Sequence, residues 1–195
     1  MAGNARYTAL LDACVLHPAT VANALISLAV AGLYAAKWTQ AIEAEWLHSV
    51  ARALPALAGS GKLERRRDDM RAAVPDWEVA AARYRRLLPS LSLPDSGDVH
   101  VLAAAMAGHA DCIVTSNLKD FPEVIVTEHE IEVIHPDDFI VMQLDLDPVI
   151  GLTALKGMRQ RMRNPVRTVE EFAVLLERSQ LFSTAQRVRD AAGLI

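Results

Sequence analysis

With 195 residues, 52% of them apolar, the chain carries enough hydrophobic surface for one packed core and a small appendage. A formal net charge of −4 argues against a protein that grips nucleic acid through a uniformly basic surface. It leaves room for local binding, because arginines cluster in Arg65, Arg66 and Arg67, in Arg83, Arg85 and Arg86, and in Arg159, Arg161 and Arg163.

The opening Met-Ala-Gly-Asn-Ala-Arg lacks the charged-then-apolar layout of a leader peptide. No apolar run reaches the roughly 20 residues that cross a bilayer, since the longest is interrupted by Asn23 and Ser27 and stops at Gly32. The expectation is an intracellular, cytoplasmic protein. Residues 8–12 form a short apolar run ending in Asp12, which reads as a buried strand with an acid at its carboxyl end. Pro18 opens a helix with Val21, Leu25, Leu28 and Ala29 on its inner face and Gly32 at its end. Thr39 is the N-cap of a second helix running to Pro55, with Ile42, Trp46 and Val50 as its stripe. After a small-residue loop at 56–61, residues 62–73 predict an exposed charged helix. Pro75 predicts another, turning Val79, Tyr84, Leu87 and Leu88 inward.

Residues 89–97 form a connector, and an alanine-rich helix follows from about Asp98 to Gly108, able to lie close against a sheet. Residues 111–115 and 131–134 predict two more strands, and a helix follows His135-Pro136. Strands separated by helices, without hairpin signals, indicate a parallel sheet covered on both faces. From about 146 the pattern is purely helical. One helix covers 148–162, a second starts at the capping box Thr168 to Glu171, and a last one covers 182–192. The two cysteines, Cys14 and Cys112, lie in apolar runs without metal-ligand spacing and read as reduced thiols.

The acids at element ends carry the functional signal. Asp12 ends the first strand, Glu45 lies on the second helix, Asp98 opens the alanine-rich helix, and Asn117 and Asp120 follow the strand that ends at Thr115. In an open parallel sheet, ligands bind beyond the carboxyl ends of the strands. Grouped carboxylates raise each other's pKa unless a counter-charge joins them, and all-oxygen donor sets suit Mg²⁺ or Mn²⁺. Such ions activate water and stabilise charge at a phosphodiester. Each residue has a plainer role open to it. Asp12 can be a strand-end cap and Asp98 a helix N-cap, Glu43 competes with Glu45, Asp95 can share the work of Asp98, and Asn117 and Asp120 can simply shape a turn. His100 reads either as a phosphate contact or as a structural histidine, and Asp137 and Asp138 as caps of the closing helix.

Leu10 to Pro18, Trp38 to Glu45, Asp98 to Ala105, Ile113 to Pro122 and His135 to Phe139, in that order, resemble the successive motifs of PIN-domain proteins. The resemblance spans about residues 7–140 and is to the VapC-like toxin ribonucleases of bacterial type II toxin–antitoxin systems. It implies a three-layer α/β/α sandwich over residues 1–145, with 146–195 as a helical C-terminal extension. It also implies Mg²⁺ or Mn²⁺ dependence, cleavage of single-stranded RNA, a cognate antitoxin and a homodimer. Carried over by position, Asp12, Glu45 and Asp98 match the first three acids of the family and Asn117 stands at the fourth, where many relatives have Asp; Asp120 lies in the same loop. On this basis Asp12, Glu45, Asp98 and Asp120 are the expected metal ligands, with Asn117 as a further catalytic candidate and Thr115, Ser116 and His100 positioned for the phosphate. A haloacid-dehalogenase phosphatase needs a second Asp where Cys14 stands, and a receiver domain needs acids where Tyr7, Thr8 and Ala9 stand. The readings left beside the toxin are a non-catalytic PIN-like binding module and a housekeeping RNA-processing or DNA nuclease.

Overall fold

A computed structural model describes residues 7–195, so the leader reading and the first six residues of the predicted nuclease unit fall outside the described residues. Four short parallel strands form the centre: β1 (Thr8–Leu11), β2 (Ala35–Lys37), β3 (Cys112–Val114) and β4 (Glu132–Ile134), in the order β2-β1-β3-β4. Registers run Ala9 against Ala36, Leu10 against Ile113 and Ile113 against Val133. Leu10, Leu11, Cys112, Ile113 and Val114 are all fully buried. Adjacent residues of a strand point to opposite faces, so burial of every one requires cover on both sides. The fold is an α/β sandwich with a helical C-terminal region.

Asp12 caps α1 (Ala13–Leu16), a turn of helix placed directly at the end of β1. Pro18 stands one residue before α2 (Ala19–Val30), and Gly32 follows it at φ 87°, a conformation glycine adopts without steric cost. Thr39 caps α3 (Gln40–Ala53) by accepting from the backbone N–H of Ile42. The charged stretch forms α4 (Lys62–Ala73), as expected, with Leu63 and Met70 turned inward.

One strand goes beyond the sequence reading, and one predicted helix is corrected. The strand β2 was not anticipated, because three residues of Ala-Ala-Lys carry almost no strand preference. The helix predicted from Pro75 is replaced by extended chain before α5 (Ala81–Tyr84). Trp38 donates its N–H to the Trp77 carbonyl at 2.9 Å, and Val79 donates to the Trp38 carbonyl at 2.9 Å. The Trp38 and Trp77 rings stack with centroids 5.1 Å apart. Pairing with the segment beyond β2 thus takes the backbone groups that a helix would have used.

The alanine-rich helix α6 (Val99–Gly108) buries Val101 to Ala105 without interruption and lies against β1 and β3. A short helix α7 (Glu123–Val126) precedes β4, and α8 (Pro136–Leu146) follows it. The extension comprises α9 (Pro148–Arg161), α10 (Val169–Arg178) and α11 (Phe182–Asp190). The Thr168–Glu171 capping box forms in both directions. Leu155, Met158, Phe172, Leu176, Leu181 and Val188 are buried in the same core cluster as the sheet, with α9 packed along α2. Asp137 does not cap its own helix. It reaches α11 instead, accepting from the N–H groups of Ser183 and Thr184 at 2.7 and 2.8 Å and from the Thr184 hydroxyl at 2.7 Å. The N–H of Asp137 is taken by the His135 ring. Both cysteines are free thiols. Among the described residues no helix is long and apolar enough to cross a membrane.

Candidate active site

In this strand order β2 lies on one side of β1 and β3 on the other, so the chain's progression reverses between β1 and β3. A crevice forms beyond the carboxyl ends of two strands at such a reversal. Asp12 follows β1 and Thr115 follows β3, and the two side chains meet there. The Asp12 carboxylate is 4% exposed and makes three bonds. Oδ1 accepts from the N–H of Ala13 at 2.6 Å. Oδ2 accepts from the Thr115 hydroxyl at 2.7 Å and from the Cys14 thiol at 3.0 Å. Thr115 was expected at the phosphate. It is fully buried, and its hydroxyl donates to Asp12.

Asp98 stands at the start of α6, half-buried, and makes no side-chain bond to the helix it precedes. Asp95 caps the separate 3-10 turn Ser96–Asp98, accepting from Gly97 N–H at 2.7 Å. Asp98 is therefore free for other work. Burial, and then the negative charges of Asp12, Asp95 and Asp120, push its carboxyl up to about 6, with His100 pulling the other way. Acids from three separated segments therefore act on Asp98.

Glu43 and Glu45 are separated by their surroundings. Glu43 is 3% exposed. It accepts from the Trp38 indole at 2.9 Å and from both Nε and Nη2 of Arg71, whose guanidinium also lies 4.8 Å over the Trp77 ring. It is a packed ion pair that ties α3 to α4. Glu45, two residues on, is exposed, with Oε1 2.7 Å from His100 Nε2. Both ring nitrogens of His100 are buried; Nδ1 has no polar partner, and Nε2 has the ion-pair contact with Glu45. Burial pulls the imidazole pKa down, and Glu45, Asp12 and Asp98 more than offset this, so the ring holds its proton above the ordinary histidine range. His100 thus engages an acid of the site.

Ser116 and Asn117 are exposed in the loop after β3, and Asp120 is half-buried at the end of a single 3-10 turn, Leu118–Asp120. Asn117 donates its backbone N–H to the Thr115 hydroxyl at 3.1 Å, and its side chain makes no cap bond. Two of the arginine clusters are partly spent inside the molecule. Arg66 donates to the carbonyls of Leu16 and His17 and lies 4.7 Å over the Trp46 ring. Arg159 donates to the carbonyls of Arg167 and Ile195. Arg65 and Arg163 remain exposed.

A hard divalent ion fits the donor chemistry of this group. The donors are carboxylate oxygens, and the raised pKa of Asp98 reflects its burial first and the nearby anions second. Among the described residues no three His, Cys, Asp or Glu side chains already stand in an arrangement that could hold a metal. Sequence reading missed Cys14, which contacts Asp12, Thr115 and the Ser116 N–H. Its place two residues after Asp12 at a strand end was the available signal.

Comparison with known proteins bears on most of the same residues. A family model described as PIN domain matches residues 8–119, and one described as VapC50 C-terminal domain matches residues 136–190. A curated protein of Mycobacterium tuberculosis, named "Putative ribonuclease VapC50", is 53% identical over 61 residues. That alignment covers 31% of this chain and 36% of the relative. No solved structure matches the chain at a significant level.

Proposed function

This chain belongs to the PIN-domain family, and from that membership we propose that it is a metal-dependent endoribonuclease of single-stranded RNA, the toxin of a toxin–antitoxin pair. The observation that supports the reading best is the gathering of Asp12, Asp95 and Asp120 around half-buried Asp98, whose carboxyl is pushed up to about 6 by burial and, after it, by their charges. Carboxylates are gathered at such a cost where a cation is to be bound. The printed name of the mycobacterial relative agrees with ribonuclease chemistry.

On this reading Asp12, Glu45 and Asp98 would hold one Mg²⁺ or Mn²⁺, and Asp120, with Asn117, would help place a second ion or the attacking water. The ion, when bound, supplies Lewis-acid stabilisation of the phosphodiester and lowers the pKa of water. The chain's own residues prepare the place. Thr115 and Ala13 fix the plane of the Asp12 carboxylate, His100 keeps the exposed Glu45 over the site, and the Ser116–Asn117 loop faces solvent where a phosphate enters. Water is the nucleophile, so the products carry 5′-phosphate and 3′-hydroxyl ends. A 2′,3′-cyclic phosphate would mean attack by the RNA's own hydroxyl and would contradict the scheme.

The proposal extends to a cytoplasmic homodimer restrained by a cognate antitoxin, with residues 1–145 as the nuclease unit and 146–195 as a helical layer packed on it. Calorimetry with Mn²⁺ tests the catalytic reading against that of a binding module. The nuclease takes up the ion with a saturable heat that Asp12→Asn removes, and a non-catalytic module shows no specific heat.

A further inference from the structure

We propose that Cys14 is a positioning residue for Asp12, a thiol donor that fixes the acid and ties it to the Ser116–Asn117 loop. The inference rests on the reading of Asp12 as a metal-holding acid. It begins with proton accounting. Cys14 and Thr115 each have one side-chain proton. The Cys14 sulfur accepts the N–H of Ser116 at 3.2 Å, and the Thr115 oxygen accepts the N–H of Asn117 at 3.1 Å. With an amide arriving at each, both protons must point elsewhere. The acceptors in reach are Asp12 Oδ2, at 3.0 Å from Cys14 and 2.7 Å from Thr115, and each other at 3.2 Å. An ionised carboxylate is the stronger acceptor, so both protons converge on Oδ2.

The result is a closed relay. The loop amides of Ser116 and Asn117 hold the thiol and the hydroxyl, and these hold the carboxylate. α1 sets Cys14 in this position because Asp12 caps the helix and Cys14 is its second residue. The Asp12 carboxylate and the loop bearing Asn117 therefore move together, which a thiol that merely filled space would not achieve. Partners that orient metal-holding side chains are typically worth 10- to 100-fold in metal affinity or activity.

The test uses the full chain as wild type, Cys14→Ala and Cys14→Ser, each checked for folding by circular dichroism. In metal-free protein, the S–H infrared band lost in Cys14→Ala is identified and then followed in Asp12→Asn. Donation to the carboxylate predicts that the band shifts when the charge is removed. In Mn²⁺ calorimetry, Cys14→Ala should weaken binding by about 10-fold. On labelled RNA at saturating Mn²⁺ it should lower kcat and leave KM for RNA unchanged. Cys14→Ser, which keeps a donor and an acceptor, should recover most of both losses. An S–H band indifferent to Asp12→Asn, an unchanged Mn²⁺ affinity in folded Cys14→Ala, or a serine variant no better than alanine would overturn the positioning role. A wild type that takes up no Mn²⁺ while the band still shifts would instead overturn the metal reading on which the role depends.

Discussion

Replacing Asp98 by Asn should make the metal-free protein more stable while removing its function. The unperturbed carboxyl titrates near 3.8 and Asp98 at about 6, through burial and the charges of Asp12, Asp95 and Asp120. At 1.36 kcal/mol per pH unit, ionising it in the fold costs about 3 kcal/mol at face value. Asp98 is only half-buried, so solvent screening reduces this to about 1 kcal/mol. The folded pKa is raised, so the stabilising contribution is present below the unfolded value of 3.8 and is lost as pH rises through about 6. Asn is neutral throughout and escapes that loss. In EDTA at pH 8 the variant should melt about 2–4 °C above wild type, the shift that 1 kcal/mol gives in a chain of this size. At pH 4 the two should nearly coincide. Saturating Mn²⁺ should reverse the order at pH 8, because an ion at 100 times its Kd adds about 2.7 kcal/mol to the protein that binds it. Thermal melts at the two pH values, with EDTA and with Mn²⁺, measure all of this. No gain for the variant at pH 8 in EDTA, or an equal Mn²⁺ shift in both proteins, would refute the reasoning.

Glu43 and Glu45 should separate stability from activity. Glu43→Gln unpairs the Arg71 guanidinium and should cost about 2–3 kcal/mol in urea unfolding, whereas exposed Glu45→Gln should stay within about 0.5 kcal/mol of wild type and lose cleavage. Asp137→Ala leaves the Ser183 and Thr184 N–H groups and the Thr184 hydroxyl without their acceptor, for about 2–4 kcal/mol. Limited proteolysis should then cut first around α11.

The fold was largely legible where the chain carries long periodic signals. β1 and β3, α3 with its Thr39 cap, α4, α6 and the Thr168 capping box all follow from local pattern. What escaped depends on contacts far away in sequence. Ala35 to Lys37 becomes a strand only because Thr8 to Leu10 lies beside it. Residues 76–80 are drawn out of a helix by Trp38, and Asp137 finds its partners 46 and 47 residues on. The acids of the site were visible as residues at element ends, because the carboxyl edge of a parallel sheet is a place that sequence order alone identifies. Assigning them roles required the tertiary fold. Burial beside Trp38 and the pairing with Arg71, 28 residues away, mark Glu43 as a packing residue, and Asp98 makes no side-chain cap bond to α6. Thr115 was placed beside the site by position and Cys14 was not, and the donor bonds of both to Asp12 had no signature in the sequence.

The central claim is that Asp12 and Asp98 form the core of a metal-dependent RNA-cleaving site. It is tested most directly by incubating 5′-labelled single-stranded RNA with Mn²⁺ or Mg²⁺ and the wild type, Asp12→Asn or Asp98→Asn, each folded, and identifying the product ends. The account predicts cutting by the wild type alone, abolished by EDTA, with 3′-hydroxyl and 5′-phosphate ends. Cutting that survives EDTA, or that persists in both variants, would contradict it.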